Sequence, residues 1–138
     1  MGSGGYPTIE TFDYEEELSF EFHGEPWLAV SQRAWSLDEG ATLHMERGFL
    51  RPGPLPGVEL VLAHPIGVVE VAHGMLSGTS FEVATEPGLV GHSETGLEVV
   101  GLVRRYGVQG DAMEYRTEMA TATSPMALHL TAELRRAG

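Results

Sequence analysis

Hydrophobic and polar residues alternate along most of the chain in short runs, and glycine- and proline-containing turns separate these runs. Within one of them, Leu18, Phe20 and Phe22 share one side. A period of two is typical of a strand with one buried face, and turn signals about every ten residues are typical of an antiparallel barrel or sandwich. The predicted strands are Glu16–His23, Pro26–Ser36, Thr42–Arg51, Val58–Ala63, Gly67–His73, Thr79–Thr85, Leu97–Tyr106, Ala112–Ala120 and Met126–Arg136.

Helical periodicity is absent from the chain. No segment combines apolar residues at i, i+3, i+4 and i+7 with capping residues, and we expect at most a short turn near Pro7–Ile9. A meander of about nine or ten strands has exposed edges unless it closes on itself. The pattern therefore predicts an all-β fold, an antiparallel up-and-down β-barrel that forms a single domain over residues 1–138. A barrel of this size is not filled by its own side chains, so a ligand cavity is expected.

The composition is strongly acidic. Among the 138 residues, 20 Asp and Glu oppose 8 basic residues, all of them Arg, and the net charge is −12. Such a charge disfavours nucleic acid and anionic membranes as partners. There is no cysteine, which excludes thiolate metal sites and cysteine nucleophiles. No apolar run has the length of a membrane span and no signal peptide is visible, so the expected location is cytoplasmic.

The candidate chemistry lies in histidines rather than in a catalytic motif. Dinucleotide-binding, phosphate-loop and nucleophile-elbow motifs are absent, as is the His-Glu-x-x-His spacing of zinc proteases. His129 follows a Met-rich, acid-poor stretch in the last predicted strand. This setting suits an axial haem ligand, because apolar neighbours exclude water from the iron. The alternative is a half-buried strand histidine with a backbone partner. The chain's histidines are His23, His44, His64, His73, His92 and His129.

Strand alternation alone leaves the direction of His129 open. It places His129 on one face with Thr131, Glu133 and Arg135, and a simple alternation rule sends that face outward. A β-bulge begun at Pro125, or a polar inner face around a cavity, would turn the histidine inward.

Two other strands contain features that bear on the interior. His44 shares a face with Glu46, Gly48 and Leu50. A glycine in mid-strand indicates that another backbone approaches closely or that the strand bends sharply. The most acidic run, Asp13–Glu17, begins a strand and is expected to be solvated.

Several short sequence segments, taken together in their order along the chain, resemble segments of the nitrobindin family. These proteins are ten-stranded, haem-binding barrels of the calycin type, related in shape to fatty-acid-binding proteins. The matching segments cover nearly the whole chain. They are Tyr6-Pro-Thr-Ile9, Ser31-Gln-Arg33, His44-Met-Glu-Arg-Gly-Phe-Leu-Arg51, Gly67-Val-Val-Glu70, Arg104-Arg-Tyr106, Met119-Ala-Thr-Ala-Thr and His129-Leu-Thr-Ala.

The resemblance implies a function and a set of site residues. Nitrobindins bind nitric oxide and convert peroxynitrite to nitrate at a ferric haem b. His129 matches the proximal, axial ligand of the haem iron and is thereby the candidate catalytic residue. The other positions matched to the haem pocket are Thr8, Leu43, His44, His64 and Met119.

The resemblance also implies a mechanism without acid–base catalysis. His129 would hold the iron on one side, and an apolar wall would leave the opposite coordination position open for peroxynitrite. The implied partners are small molecules, peroxynitrite and nitric oxide, and a homodimer is one assembly to test. Two other functions stay open: a non-catalytic carrier of haem or a fatty-acid-like ligand, and a non-haem metal site that uses His129 with His44 or His64.

The chain departs from the family pattern in two places. Nitrobindins have Gly-x-Trp-x-Gly-x-Gly ahead of Tyr-Pro, and here only Gly2 and Gly4 fit that phrase, which predicts a clipped first strand. The family often has a lysine in the stretch that matches Ser93–Leu97, and this chain has none. The positive charge that would face the haem propionates there is therefore missing.

Overall fold

The protein is an all-β barrel. A computed structural model describes residues 2–6, 9–37, 40–54, 57–85 and 89–136, and these residues contain strands and turns but no helix. In particular, none of them belongs to a helix long and apolar enough to cross a membrane. The strands are β1 Gly2–Tyr6, β2 Ile9–Phe22, β3 Leu28–Ser36, β4 Thr42–Pro52, β5 Gly57–His64, β6 Val68–Ser77, β7 Ser80–Ala84, β8 Val90–His92, β9 Val99–Gln109, β10 Ala112–Thr121 and β11 Ser124–Arg135.

Antiparallel pairing closes the sheet into a ring. The order is β5-β4-β3-β2-β1-β11-β10-β9-β7-β6, and β5 pairs again with β6. On the edge of β6 that does not pair with β5, two short strands pair one after the other: β7 with residues 73–77 and β8 with residues 68–70. The ring therefore has ten places, with β7 and β8 together in one of them, and the expectation of an antiparallel barrel of about ten strands is confirmed.

The first strand has five residues and is short beside the 14 residues of β2. It nevertheless pairs on both sides, since Gly2 lies opposite Tyr14 of β2 and opposite Ala132 of β11. Barrel closure is thus maintained at this point. The expected turn near Pro7 and Thr8 lies outside the described residues.

The nine strands predicted from the pattern correspond to β2–β7 and β9–β11. Strands β1 and β8 and the first part of β2 were missed, because they lack a clear run of alternating apolar residues. The mid-strand glycine of β4 behaves as predicted: a Cβ on Gly48 would overlap the carbonyl oxygen of Val61 in the neighbouring strand.

The acidic run in β2 is not solvated throughout, and that expectation was wrong for Glu16. Glu15 and Glu17 face outward, whereas Tyr14 and Glu16 face the interior. The Glu16 carboxylate accepts hydrogen bonds from Tyr115 and, at 2.9 Å, from Nε2 of Gln32. Strand alternation explains why Glu16 and its two neighbours lie on opposite faces, because consecutive residues point to opposite sides of a strand.

The interior combines apolar clusters with buried polar side chains. One buried cluster consists of Val30, Leu60, Leu62, Ala72 and Val83, and a second consists of Val68, Val99, Leu102 and Met119. Charged and polar residues are also buried in the described part of the barrel, namely Gln32, Glu46, Glu70, Thr85, Arg104 and Thr117.

Candidate functional site

A cavity of about 920 Å³ lies inside the barrel, at the end where the β5–β6, β8–β9 and β10–β11 turns meet. Its volume is in the range typical of cofactor and small-molecule pockets. Four of the six residues expected at the site line it: His44, His64, Met119 and His129. The structure thus brings together side chains from β4, β5, β10 and β11 that are far apart in sequence.

The direction of His129 is set by a β-bulge. Across the β10–β11 pair, Thr117 lies opposite Leu130 and Glu118 lies opposite Leu128, so His129 is an extra residue between two paired ones. A bulge resets the alternation of a strand. Leu128 is 45 % exposed, while His129 lines the cavity. A bulge, one of the two ways proposed to turn His129 inward, is therefore observed at His129. A second register shift, between the Met119–Ala127 and Thr121–Ser124 pairs, contains Pro125.

The two remaining expected residues are placed differently. Leu43 precedes the cavity-lining His44, and its side chain is 45 % exposed. It is therefore on the outer face of β4, and a contact between Leu43 and a cofactor stays a prediction. Thr8 lies outside the described residues.

The wall formed by β4 and β5 carries a pair of facing imidazoles. Nε2 of His44 lies 3.1 Å from Nδ1 of His64, and the two ring centroids are 5.1 Å apart. Nε2 of His44 is also 3.4 Å from a carboxylate oxygen of Glu46. The other ring nitrogen of His64, Nε2, is 3.7 Å from a carboxylate oxygen of Glu70.

This wall lies across the cavity from His129. In one direction round the ring, four strands lie between β5 and β11, namely β4, β3, β2 and β1. In the other direction four places also lie between them, namely β6, the β7/β8 position, β9 and β10. His64 on β5 and His129 on β11 are therefore on opposite sides of the barrel. The expected wholly apolar wall opposite His129 is not observed, since that wall contains histidines backed by carboxylates.

Arg104 connects the two carboxylates behind the histidines. Its Nη1 is 3.2 Å from Glu46, and its Nε is 2.9 Å from Glu70. Burial alone would raise the pKa of the Glu46 carboxyl, but the Arg104 guanidinium and the two neighbouring imidazoles hold it well below its usual value. Burial likewise opposes the charge on Arg104, yet Glu46 and Glu70 keep the pKa of the guanidinium well above its usual value. Glu46 and Arg104 are therefore both charged at neutral pH.

Glu46, Glu70 and Arg104 were not among the predicted site residues, although the sequence contained a signal for one of them. Arg104 and Arg105 are adjacent within a strand, so one of the two must face the barrel interior. Arg104 does so and is buried, while Arg105 lies on the outside, 2.6 Å from Glu82.

A larger hollow of about 1230 Å³ is bordered by residues of β6, β7, β9, β10 and β11. Its charged side chains are exposed, and Arg105 and Glu82 among them form an ion pair. Exposed ion pairs of this kind are ordinary surface features. The site with convergent buried chemistry is the histidine-lined cavity.

The cavity fits a haem group. His129 lines it and offers an imidazole nitrogen, and apolar residues from several strands and turns also line the cavity. These residues are Ile66, Val68, Leu97, Val99, Leu102, Met119 and Leu130. An imidazole ligand within an apolar enclosure is what haem iron requires from a protein.

A family model described as "THAP4-like, heme-binding beta-barrel domain" matches residues 1–136. The chain belongs to this family. The family resemblance found in the sequence is thereby confirmed, and haem is the cofactor.

Peroxynitrite isomerase 2 of Mycobacterium marinum is 44 % identical, over 99 % of this chain and 86 % of its own length. Peroxynitrite isomerase of Nocardia farcinica is 42 % identical, over 98 % of this chain and 82 % of its own. The crystal structure of Rv2717c from M. tuberculosis superimposes with a TM-score of 0.90 at 37 % identity, covering 99 % of this chain and 88 % of that one.

Proposed function

We propose that this protein is a haem-dependent peroxynitrite isomerase in which His129 is the axial ligand of the iron. The observation that carries the proposal is the bulge that turns His129 out of strand alternation and into the cavity. The relatives named peroxynitrite isomerase support the reaction, and they match this chain over nearly its whole length. Nitric oxide, a small ligand of haem iron, is proposed to bind at the same place.

When bound, haem supplies an iron centre at which an oxyanion coordinates and its O–O bond is weakened. The residues of the chain hold and enclose this centre. Through an imidazole nitrogen, His129 would hold the iron. Leu102, Met119 and Leu130 exclude water from the space around it. The isomerisation of peroxynitrite to nitrate conserves all atoms and electrons, so the pocket needs neither a reductant nor a second substrate.

The wall opposite His129 is polar, and its charged groups are paired within it. One of the two nitrogens that face each other in the His44–His64 pair carries the hydrogen of their hydrogen bond. Arg104 adds a positive charge behind Glu46.

The proposed partners and location follow from charge and composition. A net charge of −12 supports small-molecule ligands rather than nucleic acid or an anionic membrane. We place the protein in the cytoplasm, and a homodimer remains a prediction for a measurement of molar mass in solution.

The test is a hemin titration of the purified protein, followed by absorption spectroscopy and stopped-flow measurement of peroxynitrite decay. A Soret band that saturates at one equivalent is expected, together with faster decay and nitrate as the product. His129→Ala should abolish both. His23→Ala is the matched control, because the His23 side chain is 61 % exposed. An unchanged spectrum in His129→Ala would refute the assignment of the axial ligand.

The second candidate is a carrier of a small apolar ligand, and the apolar lining of the same cavity favours it. It would take first place if the protein showed no Soret band beyond that of free hemin and bound a fluorescent fatty-acid probe that lipid displaced.

A further inference from the structure

We propose that the cavity wall opposite His129 contains a second site, which binds one divalent transition-metal ion such as Zn²⁺ through His44, Glu46 and His64. The three side chains each offer a ligand atom, and these atoms all lie within 4.8 Å of one another. The site is distinct from the axial haem position, because β5 and β11 are on opposite sides of the ring. It does not depend on the proposed isomerase activity.

The distances between the donor atoms match those around a metal ion. Zinc–nitrogen and zinc–oxygen bonds of about 2.0–2.2 Å at tetrahedral angles place neighbouring donors about 3.3–3.6 Å apart. Nε2 of His44 lies 3.1 Å from Nδ1 of His64 and 3.4 Å from Oε1 of Glu46. Two edges of the coordination polyhedron are therefore formed before any ion binds. The third edge, between Glu46 and His64, is no longer than 4.8 Å.

The donor set suits a borderline divalent cation. Two imidazoles and one carboxylate are a ligand combination found in zinc and non-haem iron sites. The ligands come from adjacent strands, since Glu46 and His44 are two residues apart on the inner face of β4 and His64 is at the end of β5. All three line the cavity, so a fourth coordination position is directed toward it. Such an open three-ligand site can bind water or an anion.

The groups behind the ligands also point to a cation. His64 has a side chain only 5 % exposed, and its Nε2 has no hydrogen-bond partner among the described residues. That atom faces Glu70, whose side chain is fully buried, at 3.7 Å. A carboxylate on the far nitrogen of a metal-bound imidazole is the arrangement that fixes the ring and strengthens it as a ligand. Metal binding at Nδ1 would require the hydrogen at Nε2, where Glu70 can accept it.

Charge balance gives an independent argument. Glu46 and Glu70 are both buried, and Arg104 is the cation that pairs with each of them. Two buried carboxyl groups thus share one guanidinium, and a buried charge without a partner is costly inside a protein. A cation bound at Glu46 would leave the guanidinium to Glu70. The competing occupant is a proton shared by His44 and His64, and the experiment separates the two.

The experiment is a calorimetric titration of Zn²⁺ into the protein as purified, with Co²⁺ as a spectroscopic probe. We expect one Zn²⁺ per chain and visible d–d bands of a low-coordinate Co²⁺ complex that Zn²⁺ abolishes. His44→Ala and Glu46→Gln should each weaken binding by more than about 100-fold, and Glu70→Gln, which changes a positioning residue, by about tenfold. His44 is the safer variant for folding, since its side chain is 24 % exposed.

His73→Ala is the matched control. His73 also lies near a carboxylate, with Nδ1 3.5 Å from Glu59, but its side chain is 45 % exposed and belongs to the surface. We expect this variant to bind Zn²⁺ as the wild type does. The proposal is overturned if the wild type binds no Zn²⁺. It is equally overturned if folded His44→Ala and Glu46→Gln bind Zn²⁺ as tightly as His73→Ala, because the ion would then be held elsewhere on the surface.

Discussion

Nη1 of Arg104 lies 3.2 Å from each carboxylate oxygen of Glu46, inside the barrel and away from solvent. The two side chains are 5 % and 8 % exposed. Removing two charges from water costs free energy, and the attraction between the two partners offsets that cost. If one partner is removed, the other is left as an unpaired buried charge. Because Arg104 also contacts Glu70, the whole polar wall of the cavity depends on this one guanidinium.

Replacing Arg104 should therefore be severely destabilising. Arg104→Met leaves Glu46 and Glu70 buried without their cation, and we expect a loss of about 3–5 kcal/mol in the free energy of unfolding, measured by urea denaturation at pH 7. Arg105→Met is the control, because Arg105 is 47 % exposed and pairs with Glu82 on the surface; little change is expected there. Equal effects of the two substitutions would contradict the role assigned to Arg104.

The two interior glutamates should give opposite pH dependences of stability. The pKa of Glu46 is lowered in the folded state, because Arg104 and the two neighbouring imidazoles together outweigh the effect of burial. The ionised carboxylate therefore adds to the free energy of unfolding at pH values above the ordinary pKa of 4.5, and this contribution is lost as the pH falls below that value. The pKa of Glu16 is raised in the folded state, chiefly by burial. The protonated carboxyl therefore adds to the free energy of unfolding below pH 4.5, and this contribution is lost as the pH rises through the pKa of the folded state.

Urea denaturation of the wild type, Glu46→Gln and Glu16→Gln across the acid range measures this difference. Relative to the wild type, Glu46→Gln should lose less stability on acidification, and Glu16→Gln should lose more. A change of the same sign in both variants would show that one of the two carboxyls has been assigned the wrong shift.

The glycine in the middle of β4 should not tolerate a side chain. A Cβ on Gly48 would overlap the backbone carbonyl of Val61, and backbone cannot move aside as a flexible side chain can. We expect Gly48→Ala to lower the free energy of unfolding by about 1–3 kcal/mol or more. In Gly91→Ala the new Cβ would lie 3.4 Å from a methyl group of Val69, which is ordinary contact. A smaller effect is expected for that control, and equal thermal shifts in the two variants would disprove the close approach.

The barrel was predictable from the sequence because its evidence is local. Alternating apolar residues between turn signals identify strands one at a time, and Gly48 showed where two backbones approach. The charged interior was harder to foresee, because hydrophobic patterning assigns Glu16, Glu46, Glu70 and Arg104 to the surface. Only alternation within a run of consecutive charges, as at Arg104–Arg105, indicates that one of them must face inward.

The direction of His129 could not be derived from alternation. One extra residue in β11 reverses the faces of the strand, and nothing in the pattern of Leu128, His129 and Leu130 shows where that residue is inserted. The resemblance to haem-binding barrels supplied the role of His129, and pairing with β10 supplied the geometry.

The bulge itself can be tested by deleting Leu128. Without this residue His129 would take the place opposite Glu118, whose partner now faces outward, while Met119 and Thr117 keep their own partners, Ala127 and Leu130. We expect the deletion variant to remain folded by circular dichroism but to lose the Soret band at one equivalent of hemin. Leu128→Ala keeps the residue count and truncates only a side chain that is 45 % exposed, so it should bind hemin as the wild type does. If the deletion variant still bound hemin, and His129→Ala then abolished that binding, His129 would face the cavity without the bulge, and the bulge would not be what directs the ligand inward.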